Sequence, residues 1–232
     1  MIDQLPLNIQ LRDDATLDSF YPGDNVEALN AIQQIAKGEG ENFLYIWGQT
    51  GVGRTHLLQA ACHFATESGV TAIYIPLKGQ CGAKFSPEIL QGIEDLSLVC
   101  LDDIDEAAGF SNWEEALFHL FNRIRSNNGR LIVSSAFAPK DLPIKLPDLK
   151  SRLSWGVIYQ LHRLNDEQKI SALQLHAEQR GIELSETVGQ FLLNRCSRNM
   201  NELFSVLEKL DRASLAEQRR LTIPFVKQVL DL

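Results

Sequence analysis

Gly48-Gln49-Thr50-Gly51-Val52-Gly53-Arg54-Thr55 lies directly after the apolar run Phe43 to Trp47. Its spacing and its place before a helical pattern are those of a phosphate-binding loop, with arginine where lysine is expected. The glycines let such a loop curl until successive backbone N–H groups face a phosphate, and the following helix adds its positive end. Thr55 is positioned to set a hydroxyl on Mg²⁺, and Arg54 to supply charge to the β-phosphate. The bland alternative is a glycine-rich turn that merely joins strand to helix.

Outward from this loop, short runs read as strands at Phe43 to Trp47, Thr71 to Ile75, Leu98 to Asp102, Leu131 to Ser135 and Gly156 to Leu161. Most show little alternation, as strands covered on both faces do. Between them Leu57, Leu58, Ala61, Cys62 and Ala65 share one helical face, with Gly69 as a stop. Trp113, Leu117, Leu120, Phe121 and Ile124 share another, opened by a capping box of Ser111 with Glu114 and closed at Asn127-Asn128-Gly129. Strand and helix alternate, so the fold class is α/β, a parallel sheet with helices on both faces. The third strand ends in Asp102-Asp103, at the expected ligand edge of such a sheet. Asp102 suits Mg²⁺ through water and Asp103 suits an attacking water. Alone, these acids with Asp105 and Glu106 also fit a solvated loop.

Beyond about Leu164 the strand-like runs stop and a helical domain begins. Asn165 with Gln168 predicts one helix ending near Gly181, and Ser185 begins another bearing Val188, Phe191 and Leu192. A third sets Leu203, Phe204, Leu207 and Leu210 on one face, and Pro224 suits the first turn of a last. The chain has 30 acidic and 22 basic residues, a net charge of -8, which argues against a broad nucleic-acid grip. The four scattered cysteines form no Cys-x-x-Cys pair and read as reduced thiols. No leader pattern and no bilayer-length apolar run is present, so a cytoplasmic location with no membrane partner is expected.

With the phosphate loop and the paired acids in hand, the chain resembles the DnaA-type AAA+ proteins, and most closely their short regulatory members, over nearly all 232 residues. Thr16 to Asn25 is similar to the family segment that packs near the nucleotide base, with Tyr21 and Pro22 as base contacts and His56 beside the loop. Leu149-Lys150-Ser151-Arg152-Leu153-Ser154-Trp155-Gly156 is similar to the arginine-finger box, with Arg152 at the finger position; an isolated reading makes Arg152 an ordinary surface arginine. Gln4-Leu5-Pro6-Leu7 resembles the short peptide that enters the replication sliding clamp. Read alone, Leu5, Leu7, Ile9 and Leu11 alternate as in an edge strand.

The resemblance divides the chain into a clamp-binding segment 1–12, an AAA+ P-loop domain 13–164 with a five-stranded parallel sheet, and a small all-α lid 165–232. It implies ADP or another nucleotide with Mg²⁺, a DnaA-type initiator and the DNA-loaded clamp as partners, a homodimer or higher oligomer, and no dedicated DNA-binding domain. Its function is that of a negative regulator that promotes hydrolysis of initiator-bound ATP. A self-contained ATPase or loader, and an adaptor with inert nucleotide, are the rivals. Three departures bear on turnover: Arg54 itself, the lack of an acidic group near Ala136 after the fourth strand, and Asn201 at the lid arginine position, with Arg198 one helical turn earlier. Together they imply nucleotide binding with weak hydrolysis.

Overall fold

The β-branched and aliphatic runs form strands β1 (Phe43–Trp47), β2 (Ala72–Pro76), β3 (Leu98–Asp102), β4 (Arg130–Ser135) and β5 (Val157–Gln160). In this computed structural model, which describes residues 11, 12, 14–81 and 86–232, they lie in the order β2-β3-β4-β1-β5, every pair parallel. The first and third strands match their expected bounds. The others shift by a residue at their ends, where pairing frays.

Side chains alternate across the sheet, and both faces are covered. On one face Tyr45, Val99, Leu101 and Val133 join Trp113 and Leu117 of the helix Ser111–Ser126 in one buried cluster. On the other, Cys100 meets Cys62 of the helix Arg54–Glu67. In chain order the helices of this unit are α1 (Val26–Ala36), α2 (Arg54–Glu67), α3 (Ser111–Ser126) and α4 (Pro147–Leu153). α1 turns Ala28, Ile32, Ile35 and Ala36 inward and packs on α2 and β1. Each large aliphatic side chain removed from water here contributes about 1.5–3 kcal/mol.

The capping box expected at Ser111 and Glu114 does not form. Phe110 occupies the cap position without a side-chain hydrogen bond. Glu114 is instead buried and accepts from the backbone N–H groups of Gly109, Lys145 and Leu146. The amides ahead of α4 need acceptors, and the carboxylate satisfies them better than it could the first turn of its own helix.

The helical unit contains α5 (Asp166–Gln179), α6 (Glu186–Arg195), α7 (Met200–Glu217) and α8 (Ile223–Leu230). The Asn165–Gln168 capping box is present, Ser185 caps α6, Thr222 caps α8, and Pro224 sits in the first turn of α8. Leu173, Leu192, Leu203, Leu207, Leu210 and Phe225 form the centre of its core. His176 stacks on Phe204 with ring centroids 4.0 Å apart. The described residues fall into two compact units, one of those up to Leu17 with those from Asn25 to His162, the other of Asp18–Asp24 with Arg163–Leu232. The seven residues Asp18–Asp24 therefore group with the helices, whereas the expected boundaries run the α/β domain from 13 to 164. Among the described residues no helix is long and apolar enough to cross a membrane, and all four cysteines are free thiols.

Candidate functional site

Strand register brings the chemistry-bearing residues to one edge. Ile46 pairs with Ser134 and Trp47 with Ser135 across β1 and β4, while β4 also borders β3. The loop after β1, the serines ending β4 and the acids ending β3 therefore sit side by side at the carboxyl ends of the strands, where open α/β sheets take their ligands. Gly48 donates its N–H to the Ser135 carbonyl at 3.2 Å. A Cβ on Gly48 would stand 2.7 Å from the carbonyl oxygen of Leu161, so the loop's first residue has no room for a side chain. Gly51 (φ 86°) and Gly53 (φ 98°) take left-handed backbone that favours glycine. Gly53 is also the N-cap of α2, which leaves the helix start uncovered by any capping side chain. Gln49 and Thr50 are exposed on the loop and Val52 is buried beneath it.

Thr55 donates its hydroxyl to Oδ2 of Asp102 at 2.7 Å, and the Tyr74 phenol donates to the same oxygen at 2.9 Å. Ser134 donates to the other carboxylate oxygen of Asp102. Burial first, and then the charge of Asp102, push the Tyr74 phenol well up. The Thr55 hydroxyl and the Asp102 carboxylate are adjacent hard oxygen ligands of the kind Mg²⁺ takes alongside phosphate and water. Among the described residues no cluster of three or more histidine, cysteine or acidic side chains is set to hold a metal alone.

Arg54 Nη2 lies 2.9 Å from Oδ1 of Asp103, both side chains being largely buried. Arg54 Nη1 is buried with no hydrogen-bond partner. An orphaned buried cationic donor fits an anion in the loop. Asp103 has left-handed backbone (φ 54°) and its N–H donates to Ser134 Oγ at 2.9 Å. Burial and then the neighbouring Asp102 raise its carboxyl above the ordinary value, while Arg54 opposes the rise.

Asp105 was legible only as part of an acidic loop, and it proves to be built into the site. It accepts from Ser135 Oγ at 2.8 Å and from the Ala136 N–H at 3.0 Å. An acidic group thus reaches Ala136 from the segment after β3, through a turn that no spacing rule announces. His56 donates from Nε2 to the Thr16 carbonyl at 2.9 Å, and burial lowers its pKa. The ring ties Thr16 to α2.

The remaining expected residues fall elsewhere. Arg152 lies on α4, its guanidinium 4.0 Å from the centroid of the exposed Trp155 ring, which Arg125 also approaches at 4.8 Å. Tyr21, Pro22 and Arg198 belong to the helical unit. Arg198 precedes Asn199, the N-cap of α7, so it is not a turn earlier on the helix that carries Asn201; it pairs with Asp166 at 3.4 Å. Gln4, Leu5, Pro6 and Leu7 lie outside the described residues.

Two family models match the chain in tandem. The bacterial DnaA ATPase domain covers residues 11–160 and the lid domain of Hda covers residues 166–230. Among solved structures, domain III of the Thermotoga maritima replication initiation protein DnaA matches at TM-score 0.78 and 23% identity, over 96% of this chain and 98% of that one. AMPPCP-bound DnaA from Aquifex aeolicus matches at TM-score 0.71 and 24% identity, over 90% and 71%. The Thermotoga maritima Holliday junction branch migration motor RuvB matches at TM-score 0.67 and 14% identity, over 94% and 71%, which shows the shared fold.

Proposed function

Since this chain belongs to the family of bacterial DnaA ATPase domains and joins to it a lid of the Hda type, we propose that it is a negative regulator of replication initiation that stimulates hydrolysis of ATP held by a DnaA-type initiator. The tandem of those two domains in one chain is the observation that carries this reading. The chain's own loop, Gly48 to Thr55, holds a nucleotide, ADP in preference, through backbone N–H groups and Arg54. Thr55 and Asp102 hold Mg²⁺, which supplies charge neutralisation at the phosphates. His56 directly follows the loop and belongs to the same nucleotide-binding set.

Stimulation of the initiator is assigned to Arg152, which supplies positive charge to the partner's γ-phosphate as a finger in trans. The flat face of Trp155 against the Arg152 guanidinium supports that assignment, because stacking restricts the direction of the planar fork without neutralising it. Gln4 with Leu5, Pro6 and Leu7 docks on the DNA-loaded sliding clamp, apolar side chains entering a pocket while glutamine holds its rim. Assembly into a homodimer or higher oligomer belongs to the same reading, as does weak intrinsic ATPase activity. The test is initiator ATPase with clamp-loaded DNA, in the presence and absence of this chain. Replacing Gln4, Leu5 and Leu7 together by alanine is expected to abolish clamp association in surface plasmon resonance and to leave ADP binding intact. Unchanged clamp affinity would contradict the docking role.

A further inference from the structure

The two prongs of Arg54 have different surroundings. Nη2 is 2.9 Å from Oδ1 of Asp103, and Nη1 is buried without a hydrogen-bond partner. A buried charged donor left without an acceptor is costly, and such groups are rare in folded proteins unless something else completes them. Asp103 is not free to follow the arginine elsewhere. Its backbone N–H is fixed on Ser134 Oγ and its φ is 54°, so its main chain is anchored at the end of β3, and its buried Oδ1 has the Arg54 ion pair but no hydrogen bond.

We propose that Arg54 acts as a bridge when a nucleotide occupies the loop, Nη1 donating to a phosphate oxygen while Nη2 retains Asp103. The inference rests on the nucleotide-binding reading of Gly48 to Thr55. Hydrolysis requires a water whose oxygen bonds to the γ-phosphorus as the bond to the β-phosphate oxygen breaks, and whose proton passes to an acceptor. Asp103 is the carboxylate adjacent to the loop that is suited to orient that water and take its proton. Held by the guanidinium, it is withdrawn from that task, and a bound triphosphate is split only slowly. Lysine cannot span both partners. Its ammonium is a single point charge on a flexible stem, so it follows the phosphates and leaves Asp103 to water. The arginine in this loop is therefore the determinant that turns a hydrolytic site into a holding site.

Arg54→Lys is expected to bind ADP within about tenfold of the parent by calorimetry, and to raise single-turnover ATP hydrolysis about tenfold or more, a gain of roughly 1.4 kcal/mol in barrier. The gain should vanish in Arg54→Lys combined with Asp103→Asn. If Arg54→Lys binds ADP but gains no hydrolysis, the bridge is wrong and the nucleotide reading stands. If the parent binds neither ADP nor ATP, the nucleotide reading itself fails. A readout independent of turnover comes from ¹⁵N-arginine NMR of the parent with ADP. The Arg54 guanidinium should rotate slowly, and Asp103→Ala should release that rotation with ADP still bound. Free rotation in the parent complex overturns the proposal even if Arg54→Lys does not fold.

Discussion

Arg152 carries its guanidinium 4.0 Å from the Trp155 ring, on a surface rather than in the core. Its removal should therefore leave the protein standing. Arg152→Ala is expected to lower stimulation of initiator hydrolysis about 10³-fold or more, the scale on which a finger in trans acts. ADP affinity and thermal unfolding should match the parent. Arg152→Lys should restore little, since a point charge does not reproduce a planar fork. Full stimulation by the alanine variant would move the chemistry to another residue.

His56 gives the residue scale a pH signature. Its folded pKa lies below the ordinary 6.5 because of burial. Above 6.5 the ring is neutral in both states and its hydrogen bond to Thr16 contributes fully. As pH falls from 6.5 toward the lowered value, the unfolded chain takes a proton that the folded chain refuses, so stability is lost at up to about 1.4 kcal/mol per pH unit. Urea unfolding at pH 7.5 and pH 5.5 should show this loss in the parent and a shallower one in His56→Gln. Equal slopes would place the titration elsewhere.

At the scale of elements, Glu114 joins α3 to the segment ahead of α4, which carries Arg152. Its carboxylate accepts from Gly109, Lys145 and Leu146 while itself buried. Glu114→Ala leaves those donors unsatisfied and should destabilise the protein by about 2–4 kcal/mol, read from the urea midpoint. A loss below about 0.5 kcal/mol would mean that water replaces the carboxylate at little cost.

Glu114 also marks the limit of what the sequence made legible. Strands β1 and β3 were readable to the residue, because apolar runs bounded by glycine or acid are local signals. The caps at Asn165 and Ser185 were readable for the same reason, each partner lying three residues away. Glu114, three residues after Ser111, matched a local capping pattern, yet its partners lie up to 32 residues distant. The contact of Asp105 with Ala136 spans 31 residues and was equally hidden. In the candidate site, the loop and the acids at the end of β3 were legible as local patterns. The pairing of Arg54 with Asp103 depends on β3 and β1 being brought to one sheet edge, which only the folded chain provides.

For the whole molecule, an α/β unit and a helical unit each have their own core. A ligand of the folded loop should shift unfolding by mass action, by about 2.7 kcal/mol when ADP is at one hundred times its dissociation constant. Differential scanning fluorimetry with ADP and Mg²⁺ is expected to show a rise in the melting temperature that is absent in Gly51→Val, whose left-handed backbone (φ 86°) disfavours a branched side chain. No ADP-dependent rise in the parent would count against the loop as a nucleotide site. The regulatory role makes a stricter demand on the intact molecule, because it requires a partner's nucleotide to be split. The direct measurement is release of phosphate from ATP preloaded on a DnaA-type initiator, with sliding clamp loaded on DNA, with and without this chain. Acceleration of about 10³-fold is expected, dependent on both the chain and the clamp and lost in Arg152→Ala. An unchanged rate with all components present and this chain folded and bound to the clamp would contradict the regulatory role.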